Sequence, residues 1–576
     1  MVKPRNDSNI IKAARGEERV DLLLQGGKVF STSTKEWIET DLAISRGIIV
    51  GWGHRDAKEV VDVSDCYLTP GFIDSHMHLE STKLWVDEFV ATVLPHGTTA
   101  VAADPHEIAN VLGVEGVKAL IESSIPLPFT FGVCASSCVP ASRFESPGAT
   151  LNAQDIATLL RDDHVLGVAE MMNYPGVIEA DIDVLAKIAV AGNKRVDGHS
   201  PGVSGFALDA YLCAGIESDH ECTMYQEALE KRRKGMWIFL REGSAAKNIA
   251  ELSRLVKEFG TDHCALCTDD REPKVLLEKG HINDCIRVAV ENGISVEDAI
   301  VMATSNAADY HGLTNLGTLS PGYQSDVLVF ESLESLEPSL VYQKGRLVAK
   351  NGKMVPGIIN AKPAPSWMRN TVHLNHEISS SDLTLSNLDS NSTVRVIEVH
   401  EGSIITTERL VALSQLKVQR VNRLAVVERH RKTGRIGRAF TVGFGLNSGA
   451  IASTVAHDAH NLMVVGGLSD QDAGDMATAC NYLASKGGGQ VVVHKGDVLA
   501  FTPLPIAGLM SESPPEEVAK HLAQAQQAAR ILGSSINEPF MTLSFLGLSV
   551  IPELRLTDQG LVDVRLFELV DPTVST

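Results

Sequence analysis

Two histidines separated by one residue, His76 and His78, end the apolar run CYLTPGFID and carry the strongest chemical signal in the sequence. Alternate residues of a strand share a face, so both imidazoles project together, as a metal ion requires of a rigid support. Further candidate ligands end later apolar runs: Glu170 ends VLGVAE, His199 ends KRVDGHS, His220 ends AGIESDH and Asp269 ends HCALCTD. Any one such residue is ordinarily just solvated. Together and in this order they read as one centre. Imidazoles combined with two carboxylates suit borderline divalent ions such as Zn, Fe(II) or Mn, and exclude a Ca or Mg cage.

Other polar groups have two readings each. Asp104, His106 and Glu107 follow TTAVAA and are either a strand-to-helix cap or, the reading preferred, pocket groups. Asp270 is read as a substrate or neighbouring contact beside Asp269. Arg241 and Glu242 end MWIFLRE and either line the pocket or pair with each other. His457, Asp458 and His460 in VAHDAHN are open between metal binding, a contribution to the active site and a polar turn. His281 and His311 are read as helix-surface or packing residues, Cys264 and Cys267 as core-facing thiols, and the GGG at 487–489 as a hairpin turn.

A metal centre of this kind needs strands that bring their ends together. From residue 71 to about 319, apolar strands alternate with helical segments, and repeated βα units of that extent predict a (β/α)8 barrel. Short β-type runs precede it (21–70) and follow it (320–358), predicting one composite β domain with the barrel inserted. The proline-rich NAKPAPSW, 360–367, reads as a linker. Residues 368–576 mix β runs with the helical PPEEVAKHLAQAQQAARILG and are expected to form a C-terminal α/β domain. A chain of 576 residues is too long for one core.

The balance of 51 Lys+Arg against 72 Asp+Glu, formally -21, argues against sequence-independent binding to nucleic acid or an anionic membrane and favours small-molecule chemistry. The polar start, MVKPRNDSNIIKAARGEERVD, has no apolar h-region, and no stretch approaches the roughly 20 apolar residues of a membrane helix. A cytoplasmic location is expected. Nine cysteines, an odd count, fit reduced thiols.

PGFIDSHMHLE resembles the strand-one motif of the amidohydrolase superfamily. The chain more narrowly resembles the bacterial adenine deaminase family, on PGFIDSHMHLESTKL, HGTTAVAADPHEIANVLG, AEMMNYPGV, GHSPG, SDHE, CTDDREP, EKGHINDCIR and VAHDAHNLMVVG. The resemblance covers nearly everything after the first twenty residues. It departs at LMSESP, where a more apolar segment is expected. What it implies is conversion of adenine and water to hypoxanthine and ammonia, in purine salvage. Two divalent metal ions, Fe(II) or Mn(II) with Zn as an alternative, would be held by His76, His78, Glu170, His199, His220 and Asp269.

Glu170 would bridge the ions where superfamily members often carry a carboxylated lysine. A hydroxide held by the metals would attack C6, with Asp269 as ligand and proton acceptor, and with Asp104, His106, Glu107 and Asp270 around the purine. A homo-oligomer is expected. Two alternatives stand beside this reading: a cyclic amidohydrolase of the hydantoinase or imidazolone hydrolase type, and an inactive metal-binding scaffold.

Overall fold

The computed structural model describes residues 7–244, 246–385, 392–401 and 403–574. The first six residues of the polar start lie outside the described residues. The first sheet is assembled from both sides of the metal-ligand region. Its N-terminal strands, Val20–Ser31, Glu36–Ser45 and Ile48–Trp52, pair in sequence, and Ala57–Asp62 runs parallel to the first of them. Tyr67–Pro70 then pairs antiparallel with Val327–Phe330, whose neighbours are Leu340–Gln343, Arg346–Lys350 and Lys353–Met354. Leu24, Val29, Leu42, Ile44, Leu68, Val327 and Val329 fill one core beneath it, so apolar residues from both ends of the sequence bind the two segments into one unit.

Eight parallel strands lie between those segments: β1 (Phe72–Met77), β2 (Thr98–Ala103), β3 (Thr130–Ser136), β4 (Val165–Met171), β5 (Arg195–Gly198), β6 (Ser218–Asp219), β7 (Trp237–Arg241) and β8 (Cys264–Cys267). The ladders run β1 to β5 and β6 to β8 in chain order. Two seams join them. Glu217 N–H donates to Val196 C=O beside β5 and β6 (3.0 Å), and Met77 bridges Asp269 where β8 meets β1. The strands are buried on both faces, which is why they read as apolar runs without alternation.

Each of the first seven strands is followed by a helix. That after β7, Ile249–Phe259, buries Ile249, Leu252, Leu255 and Val256 on one stripe and stops at Gly260, whose φ of +76° a side chain would disfavour. The helix after β2, α1 (His106–Ser124), has no capping side chain of its own. Glu80, from the turn after β1, accepts the Ile108 N–H at 2.9 Å and supplies that bond instead. The cap is thus not among Asp104, His106 and Glu107, which frees those groups for other contacts.

Residues of the expected linker carry no helix or strand before a 3-10 turn at Ser366–Met368. The C-terminal region is a nine-stranded sheet, mostly antiparallel, in which β9 (Ala450–Ser453) and β10 (Leu462–Gly466) pair directly. Helix α2 (Asp470–Lys486) covers one face through Met476, Cys480 and Leu483. The hairpin expected at 487–489 is corrected. Gly487, with φ +77°, caps α2, and Gly489 begins the strand Gly489–His494, so the glycines turn a helix into a strand. A short helix, α3 (Pro539–Phe545), follows.

Of the two readings for His281 and His311, packing holds and the helix surface does not. Both are buried; His281 contacts Thr98 Oγ1 at 3.0 Å and His311 Nε2 lies 2.8 Å from Ser75 O. Cys264 and Cys267 are buried free thiols on β8.

Candidate metal centre

Asp74 laces the end of β1 to the end of β8. Its carboxylate accepts Thr268 N–H at 3.1 Å, Thr268 Oγ1–H at 2.5 Å and His76 N–H at 3.2 Å. The chain then turns through a left-handed conformation at Asp269 (φ +56°). Asp269 N–H donates to His76 C=O at 3.0 Å, and His78 N–H to Asp269 C=O at 3.3 Å. These bonds bring the first His pair against the last carboxylate.

The six strand-end residues converge. Glu170, which belongs to β4, sits between two sets of imidazoles. Its Oε2 lies 2.9 Å from His199 Nδ1 and 3.1 Å from His220 Nε2, while Oε1 lies 3.7 Å from His78 Nε2. Asp269 Oδ1 is 3.1 Å from His78 Nε2 and 3.7 Å from His76 Nε2. His76 stacks on His220 with ring centroids 4.1 Å apart. All six side chains are buried. His76–Glu170–His220 and His76–His78–Asp269 each present three ligand atoms within 4.8 Å of one another.

The donor chemistry fits divalent metal. The Nε2 atoms of His76, His199 and His220 are buried without a hydrogen-bond partner, a cost a protein carries where a ligand completes the site. Tautomer control is also present. His78 Nδ1 lies 2.9 Å from the Asp104 carbonyl, so Nδ1–H is the donor and the Nε2 lone pair faces Asp269 and Glu170, as a metal-ligating imidazole is held. Burial opposes ionisation of Glu170, but His199 and His220 hold its carboxyl well below the usual range. Asp269 is likewise held low against burial, by Arg241 and His78.

Asp104 stands behind this centre. Its carboxylate accepts Glu170 N–H at 2.8 Å and Ser136 Oγ–H at 2.8 Å, and lies 3.1 Å from His106 Nδ1. With its oxygens so occupied it orients β4 and two histidines. One residue escaped the sequence reading, and a second takes one of the two places expected for it. Glu221 Oε1 is 3.5 Å from His220 Nε2, and Arg241 pairs with both Glu221 and Asp269, the latter at 2.6 Å. Of the two readings of Arg241 and Glu242, Arg241 lines the pocket and the pair between them is not formed; Glu242 binds Lys247 at 2.5 Å. SDHE itself held the signal for Glu221, since the residue after a strand-end ligand shares its loop.

A cavity of about 540 Å³, including the part open to solvent, opens over the centre. His106 and Asp270 line it; Asp104 and Glu107 do not. Its far wall comes from the C-terminal region: Ile404, Phe545, Leu548 and Ile551, with His457 and Asp458. His457 lies flat on Phe545, centroids 4.8 Å apart and planes 9° apart. The loop carrying His457 to His460 links β9 and β10, and it is tied to the β3 side by Ala459 N–H donating to Glu145 Oε2 at 3.1 Å. A second cleft shares Glu221, Arg241, Ile404 and Phe545 with the cavity. Among the described residues no helix is long and apolar enough to cross a membrane.

Comparison with known proteins matches residues 67–355 to the amidohydrolase family and residues 399–568 to the adenine deaminase C-terminal domain. An adenine deaminase of Desulfatibacillum aliphaticivorans is 42% identical over 573 residues, covering 98% of this chain and 99% of that protein. Adenine deaminase 2 of Carboxydothermus hydrogenoformans is 42% identical over 577 residues, 99% of each. That of Archaeoglobus fulgidus is 41% identical, covering 98% and 97%. Among solved structures, a beta-aspartyl dipeptidase from Fervidobacterium islandicum AW-1 aligns with TM-score 0.45 and 18% identity over 59% of this chain and 98% of that one. An enamidase aligns with TM-score 0.44 and 16% identity over 60% and 98%.

Proposed function

The chain belongs to the adenine deaminase family of amidohydrolases, and on that premise we propose that it hydrolyses the free base adenine to hypoxanthine and ammonia, in purine salvage. The observation that carries the reading is the set of buried imidazoles around Glu170, those of His76, His199 and His220 each with an orphaned Nε2, beneath a cavity that His106 and Asp270 help to line. The eight parallel strands are read as a (β/α)8 barrel inserted into a composite β domain (21–70 plus 320–358). The C-terminal α/β domain (368–576) forms the lid wall.

His76, His78 and Asp269 would hold one ion and His199 and His220 the other, with Glu170 between them. Fe(II) or Mn(II) suits this donor set, and Zn is compatible. When bound, such ions depress the pKa of water enough for it to act as a nucleophile at neutral pH. Asp269 accepts the proton at Oδ1 and returns it toward the departing amino group, while Arg241 keeps Oδ2 in place. Attack at C6 dearomatises the ring, and the nitrogens that gain charge need partners in a dry pocket; of the residues expected around the base, His106 and Asp270 line that space, Asp270 as the polar partner and His106 as part of the wall. Asp104 acts through its neighbours, holding Glu170, His78 and His106 in register.

The test is to load purified protein with Fe(II) or Mn(II) and measure ammonia from adenine, adenosine and guanine. Ammonia from adenine is expected. A ribose at N9 leaves a buried partner of the ring N–H unpaired, so kcat/KM for adenosine should be lower by about 10⁴-fold. Comparable values for the two would overturn the substrate assignment.

A further inference from the structure

A second cluster of ligand-type side chains adjoins the metal centre, its His106 ring centroid 4.7 Å from that of His78. Asp458 Oδ1 is 3.5 Å from His106 Nε2 and 3.5 Å from His457 Nδ1, and His457 Nδ1 is 3.6 Å from Glu107 Oε1. Each of these four side chains is at least nine-tenths buried. His106 and Glu107 come from the first turn of α1, His457 and Asp458 from the β9–β10 loop, so the cluster spans the seam between barrel and C-terminal domain.

The spacing itself discriminates between explanations. A protonated imidazole paired with a carboxylate closes to about 2.7–2.9 Å; none of these contacts does. Two ligands of a tetrahedral zinc with bonds of 2.0–2.1 Å stand about 3.3 Å apart, close to the observed 3.5, 3.5 and 3.6 Å. His106 Nε2, Glu107 Oε2 and Asp458 Oδ2 are moreover buried with no hydrogen-bond partner.

The surrounding groups orient the set as they would around an ion. His106 Nδ1 lies 3.1 Å from Asp104 Oδ2, so its N–H is spent there and the Nε2 lone pair faces Asp458. This is the carboxylate–histidine arrangement that fixes a metal-binding tautomer. His460 does not join the ligands. Its Nδ1 accepts the Ala456 N–H at 3.1 Å, leaving Nε2–H to face Glu107 Oε2 at 3.9 Å.

We infer that His106, Glu107, His457 and Asp458 form a further divalent-cation site of the zinc type, joining the barrel to the C-terminal domain. Its four ligands are distinct from the six of the two-ion centre it adjoins. The probe is zinc alone: chelated protein is dialysed against Zn(II) and bound metal is counted by mass spectrometry, for the wild type, Asp458→Asn, His457→Ala and Glu170→Gln. The expected result is three ions per chain in the wild type and one fewer in each of the first two variants. Glu170→Gln should lose ions from the other centre and retain the site at Asp458, which separates failure of this inference from failure of the two-ion reading. Should a variant fail to fold, anomalous diffraction at the zinc edge of wild-type crystals decides, through a peak between His106 and Asp458. Equal counts in wild type and Asp458→Asn, or no such peak, would overturn the site and leave the cluster as a hydrogen-bonding wall of the cavity.

Discussion

Asp269 illustrates how one side chain divides its two oxygens between tasks. Oδ1 faces His76 and His78, and Oδ2 rests on Arg241, which is itself bound to Glu221. Asparagine in its place keeps an oxygen for one of these tasks and loses the charge that accepts a proton. Asp269→Asn is therefore expected to lower kcat by about 10²–10⁴-fold, measured as ammonia release from adenine at saturating metal. Near-normal turnover would remove the proton-transfer role. The spacing of His-x-His and of the later strand-end residues was readable in the sequence, because a ligand at a strand end is marked by the apolar run before it. Arg241 carried the same mark, the run MWIFL before it, but not its partners: Glu221 and Asp269 are 20 and 28 positions away, and only the curvature of the strands brings them together.

At the scale of elements, strand ends matter more than strand interiors. Asp74 collects Thr268 and the backbone of His76 into one buried knot, and that knot sets the distance between β1 and β8. Removing it with Asp74→Ala leaves Thr268 and His76 donors buried and unpaired, at a cost of about 1–3 kcal/mol. Metal affinity should fall about 10- to 100-fold, the effect typical of losing a group that orients ligands. A metal titration with an unchanged apparent Kd would show that β1 and β8 hold their register without it. The alternation of βα units was legible over this region, since each helix repeats an apolar stripe. The 487–489 glycines were not: three glycines suit a hairpin or a helix cap equally well, and only the preceding α2 decides between them.

For the whole molecule, the cavity is lined from two distant stretches of the chain, 78–270 and 404–551. Residues at the ends of the parallel strands supply its charged floor and Phe545, Ile404, Leu548 and Ile551 its apolar wall. Phe545→Ala should raise KM for adenine about 3- to 10-fold, the equivalent of one aromatic contact of about 0.5–1.5 kcal/mol, with kcat less affected. A change confined to kcat would mean that this ring acts on the chemistry and not on the fit of the base. Nothing in the sequence around His457 shows that it meets Glu107, 350 positions earlier, because that contact depends on how two domains dock.

The first sheet also governs the order in which the protein is made. Tyr67–Pro70 pairs on one side with Val20–Ser31, made before it, but on the other with Val327–Phe330, roughly 250 residues further along, and a ribosome moving at about 5–20 residues per second needs about 13–50 s to deliver it. For that interval the growing chain carries Tyr67–Pro70 with one edge unpaired, and an unpaired edge is a template for pairing with another chain. The sheet consequently closes only after all eight parallel strands have been made, and that edge stays exposed until then.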